Sequence, residues 1–140
     1  PAYLSNADRL LSLNYNAFLI GSSLGVFPSF YEPWGYTPVE CAANGCLSIT
    51  TDYAGFGKFI DENRIPALND KKDRGIYILK REGKKYENCV EDLKNKLYEI
   101  INMSKNEIVS EKQAANQLAQ ITDWKVLGEN YIKAHNASIK

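Results

Sequence analysis

Apolar and polar positions divide this chain into two kinds of segment. Through residue 87 the apolar residues come in short unbroken runs bounded by glycine, proline or asparagine, the pattern of strands buried on both faces. Beyond it they recur at three- and four-residue intervals, the pattern of amphipathic helices. The first run, Leu24 to Phe27, closes at Pro28 and Ser29 and reads as a buried strand entering a loop. Before it, Tyr15, Phe18 and Leu19 lie at helical spacing between Asn14 as a cap and Gly21 as a stop, which predicts a short helix.

Pro33 and Gly35 break any regular pattern between Tyr31 and Thr37. A helix opens next: Thr37-Pro38-Val39-Glu40 fits a capping box, with Thr37 as N-cap, Pro38 as the first helical residue and Glu40 closing the box. Asn44-Gly45 is its stop, and Cys46 to Thr51 is the next buried strand. Gly55 and Gly57 bracket a turn, Phe56 to Glu62 suits a further short helix, a polar segment runs from Asn63 to Arg74, and Gly75 to Leu79 supplies a third strand. Strands alternating with helices predict an α/β fold, a parallel sheet with right-handed crossovers.

From Asn88 onward Val90, Leu93, Leu97 and Ile101 form one apolar stripe. Ile108, Ala115, Leu118 and Ile121 repeat it more weakly, and Asp123 caps a last helix with Trp124, Leu127, Tyr131 and Ala134 on one side. The expected architecture is a single domain over 1–140: a Rossmann-like βαβ part over 1–87, followed over 88–140 by three helices that need a surface to cover.

Composition narrows the partners. The chain has 140 residues, 44% of them hydrophobic, enough for one core. Seventeen basic residues balance seventeen acidic ones, so no net field draws the chain to nucleic acid or a charged membrane. Gly21, Ser22 and Ser23 interrupt the densest apolar runs well short of the roughly 20 residues a membrane-spanning helix needs. The opening Pro-Ala-Tyr-Leu-Ser shows no secretory signal and suggests a start inside a larger protein. Cys41, Cys46 and Cys89 form no C-x-x-C pair and are expected to be reduced and mostly buried. His135, the only histidine, has no neighbouring ligand set, so no metal is expected.

The candidate chemistry lies in Tyr31 to Glu40, because ligands of parallel sheets bind beyond the carboxyl ends of the strands, where loops enter helix N-termini. Such an N-terminus presents free amides and partial positive charge, which suits a diphosphate. Gly35 permits close backbone approach, and Thr37 offers a hydroxyl. Glu32 and Glu40 stand eight positions apart, one on the loop and one on the first helical turn, an E-x7-E arrangement. Structural roles compete for several of these residues. Glu40 completes a capping box, Trp34 has a ring suited to packing under the loop, and Tyr15 sits on a helix where an aromatic is commonly core. Glu32 has no capping role to compete.

Gly25-Val26-Phe27-Pro28-Ser29 followed by Tyr31-Glu32-Pro33-Trp34-Gly35-Tyr36-Thr37-Pro38 and Glu40-Cys41 closely resembles the signature of the glycogen synthases of animals and fungi. Gly55-Phe56-Gly57, Gly75-Ile76-Tyr77-Ile78 and Asp123-Trp124-Lys125-Val126-Leu127-Gly128 match the same family in order. The resemblance implies a cytoplasmic, homo-oligomeric GT-B enzyme that transfers glucose from UDP-glucose to a glycogen or other α-glucan end with retention of configuration. This chain would be the far half of its second domain, inactive in isolation. By position, Glu32 is implied as the catalytic carboxylate at the donor glucose, and Trp34 and Gly35 as amide donors to the sugar. Tyr36 and Thr37 would flank the diphosphate, Glu40 accept from the ribose, and Tyr15 stack on the uracil. No cofactor and no metal is implied.

The chain departs from that family where the eukaryotic enzymes carry an arginine-rich stretch that binds glucose-6-phosphate. Here Ser110 to Gln117 contains one basic residue, Lys112, whereas a phosphate sensor needs converging cations. Loss of that activation is therefore expected. Two other readings remain: a GT-B enzyme such as a starch synthase using ADP-glucose, and a non-catalytic binding or assembly module with an open sheet edge.

Overall fold

The computed structural model of the chain describes residues 4, 5, 7, 11–63 and 74–139. Its elements follow in the order α1 (Tyr15–Gly21), β1 (Leu24–Val26), α2 (Tyr36–Ala43), β2 (Leu47–Thr51), α3 (Gly55–Glu62), β3 (Ile76–Leu79), α4 (Tyr86–Ile101), α5 (Lys105–Gln120) and α6 (Trp124–Ser138). The strands form one sheet in the order β1-β2-β3. Both pairs are parallel, with Leu24 opposite Leu47 and Ile49 opposite Tyr77. This is the α/β arrangement that the alternating pattern predicts. The polar segment expected between Asn63 and Arg74 lies, from 64 to 73, outside the described residues.

Two helical layers bury the sheet. Leu47, Ile49, Tyr77 and Leu79 point to one face, where Ile100 of α4 completes a cluster flanked by Leu24, Leu93 and Leu97. Ile76 points to the other and packs with Ala42 of α2, Phe56 and Ile60 of α3, and Ala115 and Leu118 of α5. Because successive strand residues alternate sides, β2 between the two layers is buried at every position. Each large apolar side chain so buried contributes roughly 1.5–3 kcal/mol.

Local signals explain the helix ends. Asn14 accepts from the Ala17 amide at 2.8 Å, and the Asp123 carboxylate accepts from the Lys125 amide at 2.8 Å. At the end of α2, Gly45 (φ 69°) donates to Ala42 at 3.0 Å and Cys46 donates to Cys41 at 2.9 Å. These two bonds form a Schellman turn, the stop expected of Asn44-Gly45.

The structure corrects four expectations outside the candidate site. β1 is an edge strand, half-buried at Leu24 and Gly25 and exposed at Val26, rather than a buried one. Gly55 and Gly57 do not bracket a turn; they lie in the first turn of α3. A Cβ on Gly55 would stand 2.1 Å from the Pro33 carbonyl oxygen and one on Gly57 2.1 Å from that of Thr51, so their small size lets α3 approach two backbones. The α4 stripe turns inward at Leu93, Leu97 and Ile100, while Val90 and Ile101 are 48% and 77% exposed. Finally, α6 is not packed into the core. None of its residues is buried, and Trp124 and Tyr131 pack on each other at 5.4 Å between ring centroids.

α5 crosses at the start of β3, the sheet edge opposite to the loops that follow the strands. A Cβ on Gly75 would lie 2.3 Å from the Ala115 amide nitrogen, which shows how closely helix and chain pass. Buried Glu111 anchors the crossing, accepting from the Gly75 amide at 2.7 Å, the Tyr77 hydroxyl at 2.9 Å and Arg74 Nε at 3.1 Å.

Candidate functional site

The segment Phe27 to Gly35 leaves the carboxyl end of β1 and is tied along its length to neighbouring loops. Arg81 Nη1 donates to the Pro28 carbonyl at 2.8 Å, and its guanidinium lies over the Phe30 ring at 5.4 Å. Thr51 Oγ1 donates to the Ser29 carbonyl at 2.9 Å. The Glu32 amide donates to Tyr53 at 3.3 Å and the Glu32 carbonyl accepts from the Gly55 amide at 3.0 Å, making a parallel bridge between Glu32 and Ala54. The Trp34 carbonyl accepts from the Phe56 amide at 2.7 Å. Successive bonds to β2, to the loop after it and to α3 thus fix a stretch that has no regular structure of its own.

Glu32 is held on both sides of its backbone, and its carboxylate accepts from Ser29 Oγ at 3.2 Å. That carboxylate lies against Gly35, where an added Cβ would be 3.3 Å from Glu32 Oε2. Gly35 has φ 107° and serves as the N-cap of α2 without a side-chain cap. Only glycine takes that backbone without strain. Helix α2 therefore begins at Tyr36, and the expected capping box is overturned: Thr37 and Pro38 are inside the first turn and Glu40 lies in the second. The cause is tertiary, since the bonds at Glu32 and Trp34 deliver the chain to α2 at Gly35. The amides of the exposed residues Tyr36 and Thr37 head the helix, where its dipole is positive.

Freed from capping, Glu40 accepts a hydrogen bond from the Tyr15 hydroxyl at 2.7 Å. Burial of the phenol first, then the bond and charge of Glu40, push the Tyr15 pKa up from its ordinary value. Trp34 is half-buried, its ring 5.9 Å from Phe56 and 5.5 Å from Phe59 between centroids, so the ring packs beneath the loop as the structural alternative has it. The structure thus gathers Glu32, Trp34, Gly35, Tyr36 and Thr37 at one turn and joins Tyr15 to Glu40 beside it. Of the residues that brace the turn, Ser29 and Gly55 lie in the matched runs Gly25 to Ser29 and Gly55 to Gly57, whereas Thr51, Tyr53 and Arg81 have no motif in the sequence to mark them.

A parallel α/β sheet with two carboxylates and an uncapped helix N-terminus beyond its strand ends has the layout of a ligand-binding domain of the nucleotide-binding type. The glycogen synthase family model matches residues 1–140, and the chain belongs to that family. It is 37% identical over 140 residues to glycogen (starch) synthase isoform 1 of Saccharomyces cerevisiae, a match covering 100% of this chain and 20% of that protein. It is likewise 37% identical over 140 residues to glycogen (starch) synthase of Neurospora crassa, covering 100% of this chain and 19% of the relative. To the liver glycogen (starch) synthase of Mus musculus it is 36% identical over 139 residues, 99% of this chain and 19% of the relative. The chain spans about a fifth of the length of these relatives. Among the described residues no helix is long and apolar enough to cross a membrane.

Proposed function

We propose that this chain supplies the donor-binding turn of a retaining GT-B glucosyltransferase, which moves glucose from UDP-glucose to the non-reducing end of an α-1,4-glucan in the cytoplasm. The single observation that carries the reading is Glu32, whose backbone is bonded on both sides to the β2–α3 loop and whose carboxylate lies against Gly35 at the head of α2. The transition state of glycosyl transfer develops positive charge on the sugar ring and negative charge on the departing diphosphate. One turn answers both: the Glu32 carboxylate faces the sugar, and the Tyr36 and Thr37 amides at the helix N-terminus face the phosphate. The Trp34 and Gly35 amides donate to the sugar, Glu40 accepts from the ribose, and the ring of Tyr15 covers the base. Amides and basic side chains elsewhere in the enzyme hold the phosphate, so no metal is required.

The test is UDP-glucose-dependent incorporation of glucose into glycogen by the full-length enzyme that carries this segment, compared with its Glu32→Ala variant. A fall of about a hundredfold or more, roughly 2.7 kcal/mol of lost transition-state stabilisation, is expected. Unchanged activity overturns the role of Glu32. Activity with ADP-glucose alone assigns another donor.

A further inference from the structure

Cys41 and Cys46 take no part in the proposed transfer; they lie where α2 ends and β2 begins, at the edge of the sheet away from Glu32. Both are free thiols, and they are 2% and 0% exposed. Their positions in the Schellman turn bring them together: the Cys46 amide donates to the Cys41 carbonyl at 2.9 Å. Covalent geometry on either side of that bond keeps the two Cα atoms within about 6.8 Å, the reach of a disulfide. The same turn commonly sets these two side chains against each other, and here they pack in one cluster with Leu19 and Phe27.

The Cys46 thiol donates to the Leu47 carbonyl at 3.5 Å. The neighbouring Cys41 thiol holds the Cys46 thiol down to about 7 against the effect of burial, with the charge of Lys112 assisting. The neighbouring Cys46, then burial, push Cys41 up. Cys46, the lower of the two, is the thiol that ionises first and acts as the nucleophile once the turn opens. Gly45, the residue before Cys46, and Lys112 line an open groove that neither cysteine lines, so a hydroperoxide reaches the pair by local opening of the turn.

We propose that Cys41 and Cys46 form a reversible disulfide site, oxidised by a hydroperoxide and restored by a dithiol. The Cys46 thiolate attacks one peroxide oxygen and the O–O bond breaks; the leaving hydroxide takes a proton and departs as water, or as an alcohol from an organic hydroperoxide. The sulfur of Cys41 then attacks the Cys46 sulfenic acid, the S–O bond breaks, and water leaves with the Cys41 proton. Two thiols lose two electrons, and the peroxide gains them.

The experiment treats the folded full-length enzyme with hydrogen peroxide, denatures it in an alkylating reagent, and weighs the peptide that contains both cysteines. The expected product lacks two hydrogens and takes no alkyl group, and dithiothreitol restores two alkylation sites. In Cys46→Val, Cys41 stays alkylatable after peroxide. Alkylation of both residues after peroxide, or a sulfinic acid at Cys46 without the cross-link, overturns the proposal. The wild-type measurement decides it even where the variant folds poorly.

Discussion

The hydroxyl of Tyr15 donates to the carboxylate of Glu40 at 2.7 Å, joining α1 to α2 across 25 residues of chain. The bond leaves the Tyr15 ring and the second Glu40 oxygen for a ligand. It also orients the carboxylate that is proposed to meet the ribose. Tyr15→Phe in the full-length enzyme should raise the KM for UDP-glucose about five- to tenfold, near the net worth of one typical hydrogen bond, with kcat changed much less. A double-mutant cycle with Glu40→Gln checks the coupling, and strictly additive effects would show that the bond plays no part in donor binding.

Gly55 tests whether the proposed donor turn depends on its backing. A methyl group there would sit 2.1 Å from the Pro33 carbonyl oxygen and 3.3 Å from the Trp34 Cα, so the turn or α3 must shift. Gly55 is in the first turn of α3, where alanine is otherwise well tolerated. Gly55→Ala should therefore lower kcat/KM at least tenfold, because a displacement of about 1 Å at a reacting group costs on that scale. Activity equal to wild type would mean that the bonds to α3 do not position Glu32.

Glu111 is expected to govern stability rather than transfer. It is 6% exposed and accepts from three donors, so Glu111→Ala strands two buried donors and the Arg74 guanidinium. The loss should be roughly 3–5 kcal/mol, the range for breaking a buried charged pair, seen as a lower denaturation midpoint. A change in donor KM with an unaltered midpoint would contradict this division of labour.

The Tyr77 phenol, in contact with Glu111, gives a pH signature. Burial first, then the Glu111 charge and hydrogen bond, push its pKa above the ordinary tyrosine value. A group whose folded pKa is raised gives its full stabilisation below the unfolded pKa and loses it as pH rises toward the folded one. With an unfolded value of about 10, the contribution is complete at neutral pH and declines above roughly pH 10. Urea unfolding from pH 8 to 11 should show a shallower alkaline decline in Tyr77→Phe than in wild type, and identical slopes would remove Tyr77 as the cause.

On regulation, the α5 stretch from Ser110 to Gln117 is committed to the fold. Glu111 closes the buried network, Lys112 Nζ donates to the Ser22 carbonyl at 3.1 Å and Asn116 Nδ2 to the Ala43 carbonyl at 2.7 Å. With one cation there, and that one bonded, glucose-6-phosphate should not stimulate the full-length enzyme. A severalfold rise in rate on adding it would refute this expectation.

Local chemistry settled much of the architecture in advance. Asn14, Asp123 and the Asn44-Gly45 stop act through bonds within a few residues, and the apolar runs of β2 and β3 suit only a strand covered on both sides. The segments of the candidate site were legible too, because Glu32, Gly35 and the helix beyond them lie close together in the chain. Decisions that depend on distant partners were not. Thr37-Pro38-Val39-Glu40 satisfies a capping box locally, yet backbone bonds from Tyr53, Gly55 and Phe56 move the start of α2 to Gly35 and release Glu40 to Tyr15. Ile100 replaces Ile101 in the core because the sheet, and not the spacing along α4, selects which face turns inward. Thr51, Arg81 and Glu111 carry no motif, since a polar residue acquires its role from the donors and acceptors that folding brings within 3 Å or so. The sequence by itself determined which elements form and in what order, because their signals act over one or two helical turns; only the tertiary structure decided which carboxylate is held against the helix terminus and which is buried as a clamp, because those roles require groups tens of residues apart to meet.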